Sequence, residues 1–340
     1  RIQEQASTLA HCSNLYRNEA QSLLAEKINA LAGGGKKVFF CNSGAEANEA
    51  LIKLARLYGK SKVGEEGKCF KILTAEKAFH GRTFGGMAAT PQEKIQGGFR
   101  PMLEGFAHGI YNDVESFRKL VDENTCAILL ETIQGESGIL PATKEFLQGI
   151  RALCDEHKIL LMLDEVQCGA GRTGTYFNYQ HYGIEPDAVS MAKGIAGGFP
   201  MGGIWARADL ADLFTPGSHG TTFGGTPMAC VAALATIEVL EKEHLLDNVT
   251  QLSNLLVEEL SRLGKKYPHL ISGVRGMGFM IALSMKGDPG RFVAKLMEHG
   301  LLTVRAGTDA VRFLPPLNLT EEELKKAISI VDRCFSELSE

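Results

Sequence analysis

Five consecutive apolar residues, Ile159-Leu160-Leu161-Met162-Leu163, run straight into Asp164-Glu165-Val166-Gln167. An unbroken apolar run without polar alternation suits a strand covered on both faces, and such strands belong to parallel sheets sandwiched by helices. The pattern recurs along the chain: residues 70–74, 126–131 and 188–191 are strand-like, and residues 145–157 read as an intervening helix. Residues 37–41 form a further short strand, which passes through Asn42-Ser43-Gly44 into an Ala-, Leu- and Glu-rich helix over 45–58. Before it, a helix over 21–31 is stopped by Gly33-Gly34-Gly35. Strand and helix in alternation predict an α/β domain with a largely parallel sheet.

Ligand chemistry in open sheets of this kind gathers outside the carboxyl ends of the strands. Glu131, Asp164 and Lys193 all fall at such ends and therefore on one rim. Asp164 follows an apolar run, so its carboxylate is partly desolvated and stays ionised only beside a cationic partner. Lys193, between Ala192 and Gly194 and ahead of Gly197-Gly198, has room beside it for a planar ligand. An acid and an amine so placed are what pyridoxal phosphate requires: a lysine to hold the aldehyde covalently, and a carboxylate to keep the ring nitrogen protonated.

Other segments have two readings each. Ser43-Gly44-Ala45 at a helix start either offers a hydroxyl and N–H groups to a phosphate or is a plain cap. Phe79-His80-Gly81-Arg82-Thr83 is either a surface turn or a stacking platform with an arginine fork for a carboxylate. Glu131 and Glu136, flanking Gln134-Gly135, are either solvated or hold an arginine neutral until a substrate carboxylate displaces them. Thr221-Thr222 on a glycine-flanked loop suits a second phosphate contact, and Arg312 points either at a domain junction or at water. Gly33 to Lys37 lacks the spacing of a nucleotide P-loop.

Residues 227–263 read as one long helical stretch, followed by strand-like 301–304 and 311–314 and helices over 290–299 and 321–338. A smaller C-terminal α+β domain is expected, with its boundary near 226–245. The net charge of -4 and the lack of a basic block argue against nucleic-acid or membrane partners. Eight cysteines stand singly with no C-x-x-C pair, so no metal site is expected and the thiols are expected to be reduced. No apolar run reaches the roughly 18 residues of a membrane span, and no leader opens the chain, so a cytoplasmic setting is expected. The chain starts at Arg1 rather than Met, inside what reads as a helix.

Taken together, Asn42-Ser43-Gly44-Ala45-Glu46-Ala47, the 79–83 segment, Gln134-Gly135-Glu136, Asp164-Glu165-Val166-Gln167, Lys193 and Thr221-Thr222-Phe223-Gly224-Gly225 resemble the class III pyridoxal-phosphate aminotransferases in residues and in order. Residues 14–16, 78–83 and 218–225 are most similar to the acetylornithine-type members. The resemblance implies a fold-type I (aspartate aminotransferase-like) transferase. Its domains would be a remnant of the N-terminal segment at 1–20, a large cofactor domain with a mixed, mainly parallel sheet at 21–235, and a small domain at 236–340. It also implies that Ser43, Gly44 and Ala45 meet the cofactor phosphate, Phe79 and Val166 the two ring faces, Asp164 the ring nitrogen and Gln167 the phenolic oxygen. Lys193 would be the catalytic lysine, and Thr222 would reach the phosphate of a neighbouring subunit, so a homodimer with a shared active site follows.

For substrate the resemblance implies Arg82 and Thr221 as carboxylate contacts and a Glu136–Arg312 gate. The expected reaction is N-acetylornithine plus 2-oxoglutarate to N-acetylglutamate 5-semialdehyde plus glutamate, a step of arginine biosynthesis. Ornithine, succinylornithine or 4-aminobutyrate are the alternative donors, and a catalytically silent binding protein of the same fold is the non-enzyme alternative. Ser137 and Thr132 depart from the family's usual glycine and proline, and the family's N-terminal segment is expected to be largely absent before Arg1.

Overall fold

The computed structural model describes residues 1–339. In chain order the strands are β1 (Lys36–Cys41), β2 (Lys71–Ala75), β3 (Phe106–Gly109), β4 (Thr125–Glu131), β5 (Ile133–Gln134), β6 (Leu140–Pro141), β7 (Leu160–Asp164), β8 (Ala188–Met191), β9 (Gly202–Arg207), β10 (Ile271–Met277), β11 (Met280–Met285), β12 (Val304–Ala306) and β13 (Ala310–Phe313). The chain divides into two compact units: residues 1–132, 142–170 and 179–239, and residues 133–141, 171–178 and 240–340.

The larger unit is built on a seven-stranded sheet in the order β1-β9-β8-β7-β4-β2-β3. β9 is antiparallel to both of its neighbours, and the other adjacent pairs are parallel. β4 and β7 are buried at every position, as expected for strands covered on both faces. The Gly44–Val63 helix lays Ala47, Ala50, Leu51, Leu54 and Ala55 against this sheet, at the i, i+3, i+4 spacing of one helical face. At Gly59 that helix runs so close to the next strand's approach that an added Cβ would lie 1.7 Å from the carbonyl oxygen of Cys69. The turn between the Glu19–Leu31 helix and β1 uses Gly33, Gly34 and Gly35 with φ of 85°, 85° and 71°, a left-handed run that only glycine takes without strain.

The smaller unit has a four-stranded antiparallel sheet, β10-β11-β13-β12, and a two-stranded β5-β6 pair. The helices Leu245–Lys266, Pro289–Glu298 and Glu321–Ser339 supply Leu256, Leu260, Leu263, Phe292, Leu296, Val331 and Phe335 to its core, where Phe292 and Phe335 stack at 4.1 Å. The stretch 227–263 is two helices, Pro227–Lys242 and Leu245–Lys266, rather than one; His244 between them adopts φ 51°. Strand-like 301–304 is displaced to Val304–Ala306, where backbone pairing with β13 begins.

The eight cysteines are unpaired, and all but Cys12 are buried. Among the described residues no helix is long and apolar enough to cross a membrane, and no group of three or more His, Cys, Asp or Glu could hold a metal ion.

Candidate active site

β1 ends at Cys41, and Ser43 caps the Gly44–Val63 helix by accepting the N–H of Glu46 at 3.3 Å. Glu46 reaches back to the N–H of Asn42 at 2.5 Å, so the turn is closed from both sides in the manner of a capping box. The N–H groups of the first turn, those of Gly44 and Ala45 among them, have no acceptor within the helix, and a helix N-terminus of this kind attracts an anion. Gly44 is required here: a Cβ would lie 2.6 Å from Cγ1 of Val166.

Asp164 closes β7, lies 5% exposed, and accepts three hydrogen bonds. Asn48 Nδ2 at 2.7 Å and His80 Nδ1 at 2.8 Å donate to Oδ2, and the N–H of Val166 donates to Oδ1 at 3.0 Å. Burial pushes the carboxyl up, but the hydrogen bond and charge of His80, with Asn48 and the Val166 N–H, outweigh it and hold Asp164 below its ordinary value. The same pairing acts on His80: burial pushes its ring down, while Asp164 and then Glu131 raise it above the usual histidine value. Nε2 of His80 is buried without a hydrogen-bond partner, so Asp164 is the ring's single anchor. Behind it His108 is pushed down to about 4, by burial and by the nearby His80, with Thr74 Oγ1 2.7 Å from its Nδ1.

Glu131, at the end of β4, accepts the Phe79 N–H at 3.0 Å. Glu49 accepts the N–H groups of Gly85 and Gly86 at 3.0 and 3.2 Å, so the 79–86 segment is tied at both ends. Arg82 lies over the Phe79 ring at 5.9 Å. Lys193 follows β8 at the start of a short 3-10 turn, Lys193–Ala196, with φ 49°, a left-handed conformation costly for a side chain with a Cβ.

These residues enclose one cavity of about 410 Å3, whose lining includes Ser43, Gly44, Ala45, Asn48, Phe79, Arg82, Glu131, Asp164, Val166, Gln167 and Lys193. Asp164 and Lys193, which the sequence pairs, thus share a pocket with the other cofactor candidates except Thr222. Thr222 lines a separate cavity of about 860 Å3 with Asn14, Leu15 and Thr221. Thr221 Oγ1 accepts from Asn42 Nδ2 at 3.2 Å, which links its loop to the helix cap. Glu136 and Arg312 belong to the smaller unit and form an ion pair at 2.7 Å, with Arg312 also bonded to the carbonyl of Gly135 at 3.2 Å. Asn48 and Ser190 are not evident from sequence motifs. Asn48 had one signal, a polar residue on the helix face that buries Ala47 and Leu51.

Residues 1–335 match the family described as aminotransferase class-III. The chain belongs to that family. Among curated class III relatives, the acetylornithine aminotransferase of Caldanaerobacter subterraneus subsp. tengcongensis is 48% identical over 99% of this chain and 85% of its own length. That of Gloeobacter violaceus is 46% identical over 99% of this chain and 84% of its own. Among solved structures, the ornithine aminotransferase of Toxoplasma gondii ME49 superposes with a TM-score of 0.95 at 30% identity, covering 99% of this chain and 81% of that one. The N-acetylornithine aminotransferase of Stenotrophomonas maltophilia K279a gives 0.85 at 32% identity, covering 99% and 85%.

Class III aminotransferases are transaminases that use pyridoxal phosphate. The pocket fits that group. A Cβ at position 44 would collide with Val166, the helix start offers N–H groups that suit a phosphate, and Asp164 in the lining is held below its ordinary value, as the partner of a protonated pyridine must be.

Proposed function

We propose that this aminotransferase moves an amino group from N-acetylornithine to 2-oxoglutarate, giving N-acetylglutamate 5-semialdehyde and glutamate, as a cytoplasmic homodimer serving arginine biosynthesis. The observation that carries the chemistry is the ionised, buried Asp164 in one cavity with Lys193. The donor choice is supported by the acetylornithine aminotransferases that match 99% of the chain at up to 48% identity.

When bound, pyridoxal phosphate supplies an aldehyde for the amino group and a protonated ring that draws electrons from the substrate carbon. Ser43, Gly44 and Ala45 would hold its phosphate, Phe79 and Val166 would cover its ring, and Gln167 would meet its phenolic oxygen. Asp164 keeps the proton on the ring nitrogen. Lys193 would hold the group through its amine, and Nζ is the base that would hold and move the proton of the donor's amine-bearing carbon. Arg82 would bind the donor carboxylate, and Thr221, which shares its cavity with Thr222 rather than with Arg82, would join it from a second copy. Glu136 keeps Arg312 neutralised for a donor with no second carboxylate there, and releases it to the carboxylate of glutamate or 2-oxoglutarate. Thr222 completes the phosphate site of a second copy. The large exposed side chains near it, Leu15 at 87% and Phe223 at 59%, support such a partner.

The test is a donor panel on the full chain loaded with pyridoxal phosphate, with Lys193→Ala as the control. N-acetylornithine is expected to give the highest kcat/KM, and the control is expected to lose the visible cofactor band. A higher kcat/KM with ornithine, N-succinylornithine or 4-aminobutyrate would reject the donor assignment.

A further inference from the structure

Asn48 sits in the second turn of the Gly44–Val63 helix, 2% exposed, and its amide has three partners. Its Nδ2 donates to the carbonyl of His80 at 2.8 Å and to Oδ2 of Asp164 at 2.7 Å, and its Oδ1 accepts from Ser190 Oγ at 2.7 Å. A carbonyl and a carboxylate can only accept, so the NH2 group must face them and the amide oxygen must face the serine hydroxyl. Both amide hydrogens are spent, and the side chain has one possible orientation.

That orientation has a consequence for the carboxylate. A carboxylate offers about four acceptor directions, two per oxygen. Oδ2 has both filled, by Asn48 and by His80 Nδ1. Oδ1 has one filled, by the Val166 N–H at 3.0 Å, which leaves a single acceptor direction.

We infer that Asn48 is a positioning residue. By filling Oδ2 of Asp164 together with His80, it leaves Oδ1 to face the ring nitrogen of bound pyridoxal phosphate and keeps the shared proton on that nitrogen rather than on the carboxylate. Each hydrogen bond to the anionic carboxylate lowers its appetite for a proton, and the proton between the two groups moves towards the ring accordingly. Ser190 locks the amide from behind. Because Asn48 lies on the helix whose N-terminus meets the phosphate, one rigid element sets both the phosphate cradle and the acid at the far end of the ring. The role rests on the cofactor assignment proposed above.

The experiment uses the full chain, stripped of cofactor and reloaded with pyridoxal phosphate labelled with 15N in the ring. Asn48→Leu keeps the branched side-chain framework and removes the amide; Ser190→Ala removes only the lock. The ring 15N resonance at neutral pH and the cofactor Kd are measured for each. In Asn48→Leu the resonance is expected to move towards that of unprotonated pyridine, with binding about tenfold weaker. Ser190→Ala is expected to move it less, in the same direction. An unmoved resonance in Asn48→Leu, even with weaker binding, shows a merely structural residue and overturns the inference. If that variant does not fold, an unmoved resonance in Ser190→Ala does so. Wild-type protein that fails to take up the cofactor overturns the cofactor assignment instead, which separates the two failures.

Discussion

His80→Leu removes the counterpart of Asp164 with little change in buried volume. The imidazole is fully buried and Asp164 only 5% exposed, so the substitution leaves a carboxylate in the interior with two of its three donors, Asn48 at 2.7 Å and Val166 N–H at 3.0 Å. Breaking a buried pair on one side costs about 3–5 kcal/mol, and the two remaining donors place this case towards the lower end. The pH dependence is more diagnostic than the size. In the wild-type protein His80 is raised above 6.5, so its contribution is complete below that value and is lost as pH climbs through the folded value. Asp164 is lowered below 3.8, so its contribution is present above that value and is lost as pH falls through the folded one. The pair therefore stabilises most between 3.8 and 6.5, with Glu131 and His108 the other titratable groups facing the imidazole. In the variant, burial, the largest influence on Asp164, is no longer outweighed, and the carboxyl moves up. The acid limb should then invert, with stability gained as pH falls. Urea unfolding of cofactor-free protein from about pH 2.5 to pH 9, which spans both limbs, measures the loss and its pH dependence, followed by the fluorescence of Trp205, the single tryptophan, fully buried on β9 of the same unit. A loss below about 1 kcal/mol with both wild-type limbs retained would refute the electrostatic account, since a real buried pair costs more.

Two further outcomes are expected. Gly59→Ala would place a Cβ 1.7 Å from the Cys69 carbonyl oxygen, a backbone atom that no rotamer change can move; a loss of at least about 2 kcal/mol in the same unfolding assay is expected. Glu136→Gln removes the charge facing Arg312 across 2.7 Å, but Glu136 is 38% exposed, so stability should change by less than about 1 kcal/mol. Its kcat/KM for N-acetylornithine should fall relative to that for glutamate, and an unchanged ratio would dismiss the gate.

Much of the larger unit's sheet is legible because parallel strands covered on both faces leave apolar runs, as at Leu160–Asp164 and Thr125–Glu131. β9 escapes that signal: it opens on Gly202-Gly203 and is fixed by pairing with β1 and β8, not by its own pattern. β3 is four residues, Phe-Ala-His-Gly, too short to show any period. The break at Glu243-His244 has neither glycine nor proline, so nothing local marks it. Asp164 and Lys193 stand out because a charge after an apolar strand is unusual. Asn48 does not, because Ala47-Asn48-Glu49 is ordinary helix sequence, and its partners lie 32, 116 and 142 residues away.

What assembles the acid end of the pocket is strand register. Glu131 on β4 stands opposite Asp164 on β7, and Asp164 stands opposite Ser190 on β8. Directly opposed residues of neighbouring strands project to the same face, so three polar side chains form one row across the sheet. Each member of the row then ties down a neighbouring segment: Glu131 accepts the Phe79 N–H, Asp164 accepts from His80 and Asn48, and Ser190 donates to the same Asn48. The loop that carries Phe79 and Arg82 and the helix that starts at Gly44 are thereby referenced to the same three strand ends. A slip of one residue between β7 and β8 would turn Asp164 to the opposite face from Ser190, separating the acid from the amide that orients it. Leu160 to Leu163 and Ala127 to Leu130 are apolar on both faces and do not by themselves oppose a slip, so the register is held by the polar strand ends, whose hydrogen bonds to Phe79, His80 and Asn48 a slip would break.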